Sequence, residues 1–296
     1  MSSPNLKNSR NLKKEKELIG YFIYELPPLI LFAIVLTISI SSSILCLFLC
    51  RKFIRIAKKE EDTNVIEIYS DAFGVAFAVL LGLLIVNSWN SYDQTNDQVR
   101  KEAIYISDLY KKALLLNDES RNKIRSNLKT YVTDLINLEW PLLPQGGHSQ
   151  KVNQDIFHIF DTLYYTKKTN EQEWFFAQQL NTIATQINDE RSSYLLNATS
   201  SVTPLMWVIL IISNIIAFFL LALTIRTPFS LHLLLQIVYA LGTSLMLLLI
   251  IVLDRPFYQF GGKISPYPLQ ILLSEWEEAE SLPPEVPPGS AFTGPI

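Results

Sequence analysis

Residues Asp71 to Tyr110 read DAFGVAFAVLLGLLIVNSWNSYDQTNDQVRKEAIYISDLY, and this stretch decides the fold. Ala72 to Trp89 holds no charged residue and is close to the ~20 apolar residues that a helix needs to cross a bilayer. It passes without a break into a charged, amphipathic pattern, as a helix leaving a membrane for water would. Gly74, Ala78 and Gly82 recur four apart on one face of the span. Trp89, Asn90 and Tyr92 close it with polar and aromatic groups suited to the lipid–water boundary.

Working outward, three more runs lack Asp, Glu, Lys and Arg: Leu29 to Cys50, Pro204 to Ile225 and Leu231 to Leu253. The 296-residue chain is 49% hydrophobic and 18% charged, the balance of a membrane protein with a large water-exposed part. The expected organisation is a basic tail (1–28), a membrane hairpin (29–89, with spans 29–50 and 72–89), a soluble helical domain (90–203), a second hairpin (204–253, with spans 204–225 and 231–253), a post-span motif (254–273) and a disordered, acidic, proline-rich tail (274–296). The basic N-terminal region precedes an apolar run too late and too long for a cleaved signal, so the first helix is expected to be retained. Cys46 and Cys50, the two cysteines, lie one turn apart in the first span, where a disulfide has poor geometry. They read as apolar thiols.

Residues 90–203 read as helix throughout. Ala103, Ile106, Leu109, Tyr110, Ala113 and Leu114 form one stripe, and Asn117 supplies the next N-cap. A second helix carries Leu128, Tyr131, Val132, Leu135, Ile136 and Leu138 and is expected to stop at Trp140–Pro141, before a loop PLLPQGGHSQ. Val152 to Tyr165 makes a third. Thr169 and Gln172 form a capping box for a fourth, which runs through Trp174, Phe175, Leu180, Ile183 and Ile187. Thr203 before Pro204, and Ser230 before Leu231, mark the starts of the last two spans. The fold class is all-α: four transmembrane helices with a helical soluble domain inserted between the second and third.

Four spans place both termini and the soluble segment on one side. Arg51, Lys52, Arg55, Lys58, Lys59 and Arg226 sit in or beside the two short links, and the positive-inside rule then makes those links cytoplasmic and the soluble domain external. The basic N-terminal cluster argues the reverse from further away.

No reactive constellation is visible, so an enzyme, a cofactor and a metal centre are not expected. The three histidines, His148, His158 and His232, stand in no metal-ligand spacing. Asp155, His158 and Asp161 read as a solvated helix face. Near-balanced charge in the soluble segment gives no nucleic-acid footprint. The Gly74, Ala78, Gly82 row permits close helix approach, either inside the four-helix unit or along a pore-lining or subunit-contacting face. In the second case Asn87 and Asn90 form a polar mouth. His232 and Gln236, one turn apart, are expected to hydrogen-bond within or across helices. After the fourth span, Arg255 complements the helix dipole, Pro256 stops the helix, and Phe257, Tyr258 and Phe260 are expected to anchor at the membrane interface.

The ordered pieces G-x-x-F-A-V-L-L-G (from Gly74), W-N-S-Y-D (Trp89, Tyr92, Asp93), K-E-A (with Glu102), D-L-Y, L-E-W-P (Trp140, Pro141), P-L-M-W, L-D-R-P-F (Asp254, Pro256, Phe257) and I-S-P resemble the bestrophin-like family of bacterial membrane proteins over roughly residues 30–273. Gln259 stands where that family usually has glycine, with Gly261 and Gly262 following. A looser resemblance links Trp89-Asn90-Ser91-Tyr92-Asp93 to true bestrophins. Those are pentameric anion channels whose second spans line the pore and whose helical regions are cytosolic, which conflicts with the charge-based orientation. The resemblance implies a homo-oligomeric, multi-pass protein of the bacterial inner membrane that conducts small inorganic ions, anions first, along the second span. The rival reading is a non-conducting sensor or scaffold whose helical domain binds a ligand or partner.

Overall fold

The structure, a computed structural model, describes residues 28–53, 60–165, 171–198, 201–223, 228–258 and 263–281. Every regular element among them is helical. In chain order they are α1 (Pro28–Phe53), α2 (Glu60–Lys112), α3 (Asp118–Asp134), α4 (Gln150–Tyr165), α5 (Glu171–Asn197), α6 (Pro204–Leu223), α7 (Phe229–Leu253) and α8 (Tyr267–Ser281). A single 3-10 turn, Ala113–Leu115, closes α2. The capping box at Thr169, the charges of the two short links beyond Lys52, Gln259 with its neighbouring glycines, Phe260 and the residues after Ser281 fall outside the described residues.

Among the described residues, four helices are long and apolar enough to cross a membrane: α1, α2, α6 and α7. At 53 residues, α2 is about 80 Å long. The hydrocarbon layer is only ~30 Å thick, and the charge-free stretch 72–89 is close to that length as a helix.

The chain divides into two compact units. In the first, made of residues up to Asn96 and Asn197–Ile264, α1 packs against α6 and α7. Phe77, Leu81 and Leu84 of α2 are buried with Val202, Leu210, Ala217 and Ile250. Polar groups inside this unit pair across helices. The Ser43 hydroxyl donates to Gln236 Oε1, and His232 Nε2 lies 3.1 Å from the Leu221 carbonyl oxygen. His232 and Gln236 therefore bond across helices rather than to each other. Cys46 and Cys50 are free thiols, with Cys50 buried beside Leu47 and Ala222. Thr203 starts α6, its carbonyl accepting from Met206 N at 3.0 Å. The start of α7 differs from expectation: Pro228 is the N-cap and makes no side-chain cap bond, so Ser230 lies inside the helix.

The second unit holds residues Asp97–Leu196 and those from Ser265 onward. Asn117 caps α3 through its side chain, which accepts from Ser120 N at 2.9 Å. The expected stop at Trp140–Pro141 is not observed. The chain widens into a π-helical turn, Leu135–Glu139, and tightens into a 3-10 helix, Trp140–Gln145. Pro141 has no N–H to continue an α-ladder, and its ring crowds the carbonyl four residues back, which explains the change of pitch. Gly146 then ends the run in the left-handed conformation (φ 68°), its N–H meeting Leu143 O at 2.9 Å. Gly147 approaches so closely that a Cβ there would meet the Leu142 Cβ at 3.1 Å.

Three expected core positions, Leu114, Trp174 and Phe175, face outward. The expected tail is also corrected, since α8 runs through Ser281. Leu269, Leu272 and Trp276 line its inner face, and the Trp276 ring stacks on Tyr110 with centroids 4.2 Å apart. That apolar face needs a partner and finds it, so this stretch folds despite its acidic composition.

Candidate functional site

Residues at spacings of four, three and four set the packed seam of α2: Phe77, Leu81, Leu84 and Ser88 are buried. Gly74, Ala78 and Gly82 wind away from that seam. Gly74 is half-buried, Ala78 and Gly82 are exposed, and a Cβ built on either glycine meets nothing within 4 Å. Gly74 and Ala78 border a groove beside Ala217, Leu220, Leu221 and Tyr239. Val75, Val79, Leu83, Val86 and Trp89 are each more than half exposed. Close packing of the small-residue row inside one chain is therefore not what the structure shows. Asn87, Asn90 and Asp93 are exposed and Tyr92 is half-buried, at the end of the same span.

The post-span motif folds inward. Asp254 is buried and accepts hydrogen bonds from Val202 N (2.8 Å) and the Ser201 hydroxyl (3.0 Å), tying the end of α7 to the start of α6. The Pro256 carbonyl accepts from Ile264 N at 2.9 Å. Phe257 and Tyr258 are buried, and Tyr258 packs with Leu31, Leu248, Ile251 and Val252. The expectation that these rings anchor in the lipid interface is corrected. Phe257 is buried, and the apolar area of Tyr258 is already covered by α1 and α7.

The second unit contains a buried cluster of ionisable groups. Glu102 is fully buried, and Tyr131 on α3 donates its hydroxyl to Glu102 Oε1 at 2.6 Å. The π turn brings Glu139 inside while leaving Leu138 exposed, the reverse of the expected face. Arg191 on α5 grips Glu139 with two bonds, Nε to Oε1 at 2.7 Å and Nη2 to Oε2 at 2.5 Å. Ser149 N donates to Glu139 Oε2 at 2.8 Å. Tyr194, one turn after Arg191, is buried with its ring 6.4 Å from that of Trp140, and Trp140 is buried as well. Pro141 is exposed beside it.

Two carboxylates thus stand near one guanidinium, which bonds Glu139 and acts on Glu102 through its charge. Burial pushes the Glu102 carboxyl up to about 7; the Tyr131 hydroxyl, the Arg191 charge and the Tyr194 hydroxyl pull against this, and the Glu139 charge adds to it. Burial opposes the Arg191 charge most, but the hydrogen bonds to Glu139 together with the charges of Tyr131, Glu139 and Tyr194 hold the guanidinium above its ordinary value. Tyr131 and Tyr194 are both raised well above a free phenol, by burial first and then by the Glu102 charge. Such a cluster can hold and release a proton.

Of these groups, the sequence reading marked Glu102 and Trp140 from family motifs and placed Tyr131 only on an apolar stripe. It missed Glu139, Arg191 and Tyr194. A signal existed: Leu180, Ile183, Ala184, Ile187, Arg191 and Tyr194 keep helical spacing, so a charge lies on the buried face. Asp155, His158 and Asp161 do not share a site. Asp155 is buried and accepts from Lys151 Nζ at 2.6 Å, whereas His158 and Asp161 line an open cleft of about 450 Å³ with Asn117, Lys123 and Asn127. Among the described residues, no group of three or more His, Cys, Asp or Glu could hold a metal ion.

Helices long and apolar enough to cross a membrane, with a charge cluster folded into the second unit, define a helical membrane-type protein. The bestrophin-like domain matches residues 36–264, so the chain belongs to the bestrophin-like family. No curated protein matches it. Solved structures of similar fold include a point mutant of a bacterial bestrophin homologue from Klebsiella pneumoniae, at 13% identity and TM-score 0.61, with 85% of this chain and 99% of that chain covered. A second mutant of that homologue is 12% identical with TM-score 0.61, covering 84% and 99%. A variant described as a membrane protein is 13% identical with TM-score 0.59, covering 82% and 96%.

Proposed function

We propose that this chain assembles as a homo-oligomer in the bacterial inner membrane and conducts small inorganic ions, anions first, along a path lined by α2. The observation that carries this reading is the unpartnered face of α2. Glycine and alanine recur there, Gly74 and Gly82 have open space beyond them, and the large apolar side chains that flank them are more than half exposed. A helix with one narrow packed seam and a small-residue face suits either a neighbouring subunit or an open path. Asn87 and Asn90 would form the polar mouth. Membership of the bestrophin-like family and the likeness to a bacterial bestrophin homologue support the same reading.

The test is planar-bilayer recording of the purified full chain with ion substitution, alongside its mass in detergent. An oligomer with ion-selective current is expected. A monomer without current overturns the proposal and favours the sensor or scaffold, for which the polar cleft at His158 and Asp161 offers a ligand site.

A further inference from the structure

We propose that Glu102 is a proton-responsive group: it rests as a neutral acid inside the helical unit, and losing its proton pulls Arg191 off its two-point pairing with Glu139. The reasoning is a charge count. Around Glu102 stand Tyr131 on α3, Glu139 on the π turn, and Arg191 and Tyr194 on α5. Only one of these is a cation, and Glu139 takes it in two bonds. A second ionised carboxylate at Glu102 would be a buried negative charge with phenol hydroxyls as its support. Buried charge without a counter-ion is costly, and the usual escape is to remain neutral.

Glu102 stays neutral as long as its proton affinity exceeds that set by the surrounding pH. When the proton leaves to bulk water, the cluster holds two carboxylates and one guanidinium. Arg191 must then divide its donors between Glu102 and Glu139. One of the two short bonds to Glu139 is lost, and with it the link that closes the π turn onto α5. The affinity of Glu102, pushed up to about 7 by burial, puts this event near neutral pH, where few carboxyl groups titrate. The device lies wholly in the helical unit and requires no ion conduction.

The test uses the full chain in detergent, titrated from about pH 5 to about pH 9, on either side of neutrality. Infrared difference spectra follow the carboxylic-acid stretch, and hydrogen exchange follows the peptides carrying Tyr131, Glu139 and Arg191. Wild type should lose one acid band with a midpoint near neutrality, and protection in those peptides, corrected for the intrinsic pH dependence of exchange, should fall over the same interval. Glu102→Gln should lack the band, and its exchange should rise with pH only as the intrinsic hydroxide-catalysed rate does, with constant protection. Glu139→Gln leaves Arg191 to Glu102 and should lower the midpoint by at least one unit, a tenfold loss of proton affinity. The proposal is overturned by a wild-type band that titrates in the ordinary carboxylate range, by a band that survives Glu102→Gln, or by a midpoint that Glu139→Gln leaves in place. If Glu102→Gln does not fold, wild type against Glu139→Gln still decides. No readout involves ion flux, so failure here is separate from failure of the channel reading.

Discussion

Replacing Arg191 with alanine removes the only cation from a cluster that holds Glu139 and Glu102. The Arg191 side chain is 3% exposed and that of Glu139 is 0% exposed, so water cannot take over as partner. Glu139 would keep one hydrogen bond, from Ser149 N, against three in the native cluster. Breaking a buried ion pair from one side typically costs about 3–5 kcal/mol, because the surviving charge stays desolvated. One kcal/mol moves the melting temperature of a domain of 150–250 residues by about 2–4 °C, so a fall of roughly 10 °C is expected. The assay is thermal unfolding of the full chain in detergent, followed by tryptophan fluorescence at a fixed scan rate. Trp140 reports directly on the cluster. Lysine at 191 should rescue only part of the loss, since a single ammonium cannot reproduce the planar two-bond grip. Replacing Glu139 and Arg191 together with leucine and methionine should cost less than Arg191→Ala alone, because no unpaired charge remains. An Arg191→Ala protein that melts within about 2 °C of wild type, at most about 1 kcal/mol on that scale, would refute the view that this pair closes the helical unit.

Other outcomes follow from the same geometry. Gly82→Leu should leave the folded chain intact, since a Cβ there meets nothing, yet it should disrupt the oligomer if the face packs on a neighbour or cut ion flux if it lines a path; size-exclusion mass and flux, with Leu83→Phe as a mild control, separate the two. Stability should also depend on pH through Glu102. The folded state binds its proton more tightly than the unfolded chain, so the stabilisation is full below about 4.5 and drains away as pH rises to about 7, by about 3 kcal/mol; Glu102→Gln should flatten this limb of the melting profile. Trp276→Ala should remove the ring stacked on Tyr110 and cost about 3–5 kcal/mol at that contact, read as faster proteolysis within α8.

The sequence by itself determined the class of protein. Charge-free runs of bilayer length need no tertiary information, because hydrocarbon demands that backbone groups be satisfied within each segment. Apolar spacing at three and four likewise made the soluble part helical, and Asn117 and Thr203 marked helix starts through bonds made within one turn. What the sequence could not fix was which way a face points. Gly74, Ala78 and Gly82 read first as a packed row and second as an open face, and only the positions of Phe77, Leu81 and Leu84 place the buried seam elsewhere on the helix. Phe257 and Tyr258 read as interfacial rings because aromatic residues suit both lipid headgroups and cores. For Tyr258, Leu31 on α1, more than 200 positions away, together with the adjoining end of α7 puts the ring inside. Acidic composition masked α8, whose helix depends on Tyr110, more than 150 positions away in the chain. The charge cluster is the clearest case. Glu102, Tyr131, Glu139, Arg191 and Tyr194 come from three helices and a π turn, and each is ordinary alone. Their chemistry arises from being desolvated together, and a change of helix pitch at Leu135–Glu139 is what brings the second carboxylate in.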